Sequence, residues 1–180
     1  MIKVASNVYK IQCDSNIYFL ELEKNILIDC GNREYYDKVK EELKGKKIDV
    51  VIFTHLHYDH IGCFDLFPDA TFYASETEIK NFEKDKKAFI FDSELLAIFD
   101  IELNVVKDMF GLKIIKTPGH TAGSISLFYE KEKVLFSGDT MFNNGHGRVD
   151  LPTSKPDEME KSLKKLEKLD FDILCSGHDY

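Results

Sequence analysis

A chain of 180 residues suits one hydrophobic core, and a hydrophobic share of 43% beside 31% charged residues is ordinary for a globular domain in water. The formal charge of -8 opposes phosphate backbones, and no lysine-rich stretch brings the arginines and aromatics of a nucleic-acid groove, so nucleic acid is excluded as a partner. No segment approaches the roughly 18 apolar residues needed to span a bilayer, and Ser6 and Asn7 interrupt the N-terminus before a secretory core could form, which excludes a membrane role and leads us to expect a cytoplasmic location.

In chain order, the short apolar runs Val8 to Ile11, Ile17 to Leu22 and Asn25 to Asp29 are separated by polar turns and predict a meander of antiparallel strands. Tyr36, Val39 and Leu43 fall at helical spacing before Gly45, a stop signal. The nearly continuous apolar run Ile48 to Phe53 predicts a strand buried on both faces, ending on Thr54-His55. Thr71 to Ala74 reads as another strand, and the charged, Phe-rich stretch 76 to 108 as short helices with loops. Three strands follow at 112 to 116, 124 to 129 and 133 to 137, then a loop holding Gly145 and Gly147. Pro156 opens a helix with the stripe Met159, Leu163, Leu166 and Leu169, and a last strand runs from Phe171 to Cys175. No repeat or linker marks a boundary, so one α/β domain over 1 to 180 is expected, a layered sheet sandwich with helices outside. The cysteines Cys13, Cys30, Cys63 and Cys175 form no Cys-x-x-Cys pair and read as buried reduced thiols. Cys63, near the histidines, has a ligand or nucleophile role as its alternative.

Chemistry concentrates in His55-Leu56-His57-Tyr58-Asp59-His60, three of the six histidines with an aspartate among them. A strand extended through His57 would point His55 and His57 the same way, towards one ion, and the following turn would aim Asp59 and His60 at a second. Three more polar clusters with glycine follow apolar strands: Thr117-Pro118-Gly119-His120-Thr121, Ser137-Gly138-Asp139-Thr140 and Ser176-Gly177-His178-Asp179. Each alone is an ordinary turn; together they complete a seven-residue set of imidazoles and carboxylates.

With those residues in view, the sequence resembles the metallo-β-lactamase superfamily on His55, His57, Asp59, His60, His120, Asp139 and His178, a span from Asp29 to His178. The resemblance implies a four-layer αββα sandwich with two divalent cations in a groove between the sheet edges. It assigns His55, His57 and His120 to the first and Asp59, His60 and His178 to the second, with Asp139 shared by both; Asp29 matches a structural position beside the site. An aspartate at 139, where the best-known antibiotic-degrading branch has cysteine, counts against a β-lactamase, and His57 counts against flavodiiron reductases. The run Gly145-His146-Gly147-Arg148-Val149-Asp150-Leu151-Pro152 is similar to the short glyoxalase-II-like and persulfide-dioxygenase-like members. We therefore expect a dinuclear metallohydrolase in which a metal-bridged hydroxide, oriented by Asp59 and Asp139, attacks a thioester, with Asp59 in the catalytic role. Zinc is the default ion, with iron or manganese compatible with the same donors. The alternatives are a mononuclear-iron persulfide dioxygenase using His55, His120 and Asp139, a hydrolase of lactones or other esters, and a non-catalytic metal-dependent binding module. The partner expected is a small-molecule substrate. The helical domain with which glyoxalase II holds glutathione has no counterpart after His178, so the thiol carrier is left open, as is the oligomeric state. Arg148 reads first as an ion pair with Asp150 and second as a substrate contact, and His146 as a weaker substrate contact.

Overall fold

Alternation of apolar side chains decides the layering. In the computed structural model, which describes residues 1–179, β1 (Ile2–Ala5), β2 (Val8–Ile11), β3 (Ile17–Glu21) and β4 (Asn25–Ile28) pair antiparallel, and β5 (Val50–Ile52), β6 (Thr71–Ala74) and β7 (Leu103–Val105) continue the sheet in parallel. Tyr180, the last residue of the expected domain, lies outside the described residues. A second sheet has the order β11 (Ile173–Ser176), β10 (Val134–Gly138), β9 (Ile125–Tyr129) and β8 (Leu112–Lys116), with only β10 and β11 parallel.

Successive residues of a strand face opposite sides. Tyr18, Ile26, Ile28, Val50 and Ile52 therefore pack across the gap onto Leu127, Val134 and Phe136 of the second sheet. Their neighbours Phe19, Leu27 and Val51 pack outward with Val39 of α1 (Tyr36–Glu42), Phe82 of α3 (Glu76–Lys84) and Leu95 of α4 (Ser93–Ile98). On the far side Phe128 and Leu135 meet Leu166 of α5 (Pro156–Leu166). The result is the expected αββα sandwich, in which each fully buried Phe or Leu contributes about 1.5–3 kcal/mol.

Several details differ from the sequence reading. The edge strands β1 and β7 carry exposed or half-buried side chains and so lack the apolar run that marks the others. The last helix stops at Leu166, so Leu169 leaves the expected stripe yet still packs, half-buried, on the same outer cluster. The four cysteines are free, but Cys13 is only half-buried. Cys63 is buried, its thiol donates to the Asn32 carbonyl at 3.4 Å, burial pushes its pKa up to about 12, and among the described residues it joins none of the groups whose donor atoms could hold a metal ion. Among the described residues no helix is long and apolar enough to cross a membrane.

Candidate metal centre

Four loops at strand ends converge at one edge of the sandwich. β5 stops at Ile52, one residue short of the expected end. The chain then bends at Thr54, so the strand does not run on through His57 as expected, and His57, itself extended (φ -69°, ψ 149°), leads into α2 (Tyr58–Ile61). The turn expected after His57 is thus a helical one that carries Asp59 and His60 back towards His55. The other loops bring His120 between β8 and β9, Asp139 from the end of β10, and His178 from the end of β11.

These residues form three overlapping groups: His55, His57 and His120; His55, His60 and Asp139; and Asp59, His60 and His178. Within each group the donor atoms lie within 4.8 Å of one another. All seven positions singled out in the sequence are therefore brought together.

Every imidazole is held by one nitrogen and presents the other inward. His60 Nδ1 meets Asp29 Oδ2 at 2.8 Å, His120 Nδ1 meets the Arg148 carbonyl at 2.7 Å, and His178 Nδ1 meets the Asp14 carbonyl at 2.7 Å. His55 Nδ1 lies 3.1 Å from Thr54 Oγ1, while His57 is turned the other way, with Nε2 2.9 Å from Thr153 Oγ1 and Nδ1 2.8 Å from His120 Nε2. Partners of this kind fix ring orientation and tautomer around a metal. Asp29 does more: at φ 58° it turns its carboxylate to accept from Thr54 N and Thr54 Oγ1 as well, both at 2.8 Å. The Ser15 hydroxyl donates to the Asp59 carbonyl and braces α2 from the first sheet.

The inward atoms are what a cation needs. His55 Nε2, His60 Nε2 and Asp139 Oδ1 are buried with no hydrogen-bond partner, a costly condition for polar atoms unless a further group satisfies them. Asp139 Oδ1 lies 3.4 Å from His60 Nε2, and its Oδ2 lies 3.5 Å from His120 Nε2 and 3.4 Å from His178 Nε2. Two carboxylates among five imidazoles form a donor set suited to first-row divalent metals. The electrostatics agree: burial opposes charge on His60 and His178, yet the carboxylates around them outweigh it, raising His60 well above its usual value and His178 to about 9. Burial, joined by neighbouring imidazoles, pushes His57 down to about 3. The cluster's negative charge is thus concentrated on the Asp59, His60 and His178 side and draws positive charge there.

Above the donors opens a cleft of about 510 Å³ whose walls include Tyr58, Phe91, Phe142 and Leu151. Arg148 and His146 both line it. The Arg148 guanidinium is engaged by Asp150 through bonds of 2.9 and 3.0 Å, both side chains exposed, and its backbone carbonyl orients His120. His146 Nδ1 lies 2.7 Å from the Gly147 carbonyl. The sequence reading missed Thr153 and the Asp14 carbonyl, which orient histidines, and Phe91 and Phe142, which wall the cleft; none carries a local pattern that would single it out.

A family model described as the metallo-beta-lactamase superfamily matches residues 11–178. The chain belongs to the metallo-beta-lactamase superfamily. Within that superfamily it is 35% identical over 186 residues to a probable metallo-hydrolase of Methanocaldococcus jannaschii, covering 91% of this chain and 87% of the relative. A hydroxyacylglutathione hydrolase of Francisella philomiragia is 30% identical over 175 residues, covering 92% of this chain, which spans only 63% of that enzyme's length. Among solved structures, the crystal structure of TTHA1623 in a di-iron-bound form superposes with a TM-score of 0.78 at 24% identity, covering 96% of this chain and 92% of its own, a likeness of fold.

Proposed function

We propose that this superfamily member is a dinuclear metal-dependent hydrolase of thioesters. The observation that carries the reading is Asp139: its two oxygens face donors of both the His55, His57 and His120 group and the Asp59, His60 and His178 group, which supports one carboxylate shared between two ions. Two bound divalent cations would supply the acidity that makes water a nucleophile at neutral pH and would polarise an acyl carbonyl. Zinc suits the donors, as do iron and manganese.

The chain's own residues supply the rest. Asp59 Oδ2 stands 3.6 Å from His60 Nε2 and 3.4 Å from His178 Nε2, on the cleft side, where it orients the attacking water and accepts its proton. Asp29, Thr54, Thr153 and the Asp14 and Arg148 carbonyls hold the imidazoles so that little reorganisation accompanies reaction. Tyr58, Phe91, Phe142 and Leu151 offer apolar surface to an acyl or thiol substituent. Arg148 lines the same cleft, but its guanidinium is exposed and paired with Asp150, so it supports no particular thiol carrier, glutathione included.

The test is turnover of S-lactoylglutathione, a neutral acyl thioester, a lactone and a thiol persulfide by metal-loaded protein, with oxygen uptake followed in the last. Thioester hydrolysis without oxygen uptake is expected. Oxygen consumption with the persulfide and no hydrolysis would replace this reading with a mononuclear dioxygenase, and inertness towards all four at full metal loading would leave a binding module.

A further inference from the structure

Behind the metal centre lies a buried carboxylate that touches none of the seven donors. Glu78 sits in the first turn of α3, three residues after the N-cap Ser75, whose hydroxyl accepts from Glu78 N at 3.1 Å. In that spacing a glutamate usually reaches back to the N-cap amide or out to solvent. Glu78 does neither: it is fully buried, its Oε1 accepts from Leu56 N at 3.0 Å, and its Oε2 accepts from Thr121 Oγ1 at 2.8 Å. Leu56 separates His55 from His57, and Thr121 follows His120. One side chain thus joins the loops that carry all three donors of the first group.

The surroundings are built for that contact. Ser75 Oγ donates to the Gly123 carbonyl at 2.6 Å, and a Cβ on Gly123 would lie 2.3 Å from Glu78 N and 2.5 Å from its Cα, so only glycine lets the His120 loop press this closely onto α3. Gly123 N also donates to the carboxylate, and the groups acting on it, Leu56 N, Thr121 and Gly123 N, are all neutral. Burial pushes the carboxyl up to about 7 against those three hydrogen bonds. A chain that keeps an unpaired carboxylate in its interior bears a folding cost, and the cost is understandable where acceptor-only oxygens are needed to meet donors from two sides.

We infer that Glu78 is a positioning residue for the first metal site, a strut that sets the spacing between the His55 and His57 loop and the His120 loop. This rests on the metal-centre reading above. Metal–donor distances tolerate only about 0.2 Å, and an amide at 78 would turn its NH₂ group towards the Leu56 or the Gly123 N–H, neither of which can accept, forcing that loop away.

The experiment measures zinc affinity by competition with a chromophoric chelator, in a His178→Ala background that weakens the second site, alongside the Tm of metal-free protein. Glu78→Gln and Thr121→Val are each expected to weaken zinc binding 10- to 100-fold. Thr121→Ser, which keeps the hydroxyl, is expected to stay within about twofold of its parent. Unchanged zinc affinity in both Glu78→Gln and Thr121→Val, with only the metal-free Tm lowered, would overturn the inference and leave Glu78 a structural contact. If Glu78→Gln does not fold, the Thr121→Val and Thr121→Ser pair decides alone, equal affinities overturning it. Failure of the wild-type chain to bind zinc would instead strike the metal-centre reading, so the two failures are distinguishable.

Discussion

Gly177→Ala should cost the protein its metals out of proportion to its stability. Gly177 precedes His178, donates from its N–H to the Gly138 carbonyl at 2.8 Å and accepts from Asn16 N at 2.6 Å. A Cβ there would fall 2.1 Å from Asp139 Oδ1 and 3.1 Å from the Gly138 carbonyl carbon and oxygen, whereas ordinary contact begins near 3.4 Å. Relief requires a movement of about 1 Å. If Asp139 swings, the shared carboxylate leaves its place; if the end of β11 retreats, it breaks the bond to Gly138 and takes His178 with it. Either movement exceeds the roughly 0.2 Å that metal–donor distances tolerate. The overpacking itself costs about 1–3 kcal/mol, a fall in Tm of roughly 3–10 °C for a chain of this size. A suitable control is Gly45→Ala, where the backbone (φ 76°) strains any side chain but nothing lies within 4 Å of the new Cβ. Both variants would be stripped, reloaded with zinc, dialysed and measured for metal content and for Tm in the metal-free state. We expect Gly45→Ala to lose stability and keep its metal, and Gly177→Ala to retain less than half the wild-type content. Equal retention by the two would refute the argument that Asp139 and His178 are held to sub-ångström tolerance.

Asp59→Asn is expected to lower thioester turnover by about 10²–10⁴-fold while metal content falls by one ion or less, because the amide keeps an oxygen but loses the proton-accepting charge; near-normal turnover would make Asp59 a spectator. His60→Ala and His178→Ala should each weaken the second site more than the first in a two-site zinc titration, and equal loss of both would show that the sites cannot be separated residue by residue. Glu78 gives a pH signature: its folded pKa of about 7 stands above the unfolded value of 4.5, so its stabilising contribution is present below pH 4.5 and is lost as pH rises through 7. Denaturation of metal-free protein at pH 4.5 and pH 8 should therefore show the wild type losing roughly 3 kcal/mol relative to Glu78→Gln, and parallel pH profiles would contradict the burial of an ionisable carboxylate there.

His55, His120, Asp139 and His178 each lie in a loop that follows an apolar strand, where any one of them alone reads as an ordinary turn residue; the set of seven, with its resemblance to the metallo-β-lactamase superfamily, is what singled them out as candidate donors. Ile48 to Phe53 announces His55, and Phe171 to Cys175 announces His178, so local pattern alone brought the chemistry to strand ends. What a one-dimensional pattern cannot carry is tertiary. The edge strands β1 and β7 are half-solvated and lack the signal of burial on both faces. The groups that orient the imidazoles are backbone carbonyls of Asp14 and Arg148 and common hydroxyls of Thr54 and Thr153, indistinguishable in sequence from any loop. Glu78 lies in a helix whose residues Glu76 to Lys84 are mostly charged, and only the fold shows that this glutamate points inward. Phe91 is 60% exposed and reads as a loop aromatic until the cleft forms beside it.

Metal stoichiometry measured on the same samples as thioester turnover tests the central claim most directly. Protein loaded under metal-replete conditions and freed of loosely bound ions should carry close to two transition-metal ions per chain, and hydrolysis should vanish on chelation and return as the second ion is restored. A content that stays at one while hydrolysis is complete would contradict the shared role of Asp139 and, with it, the dinuclear mechanism.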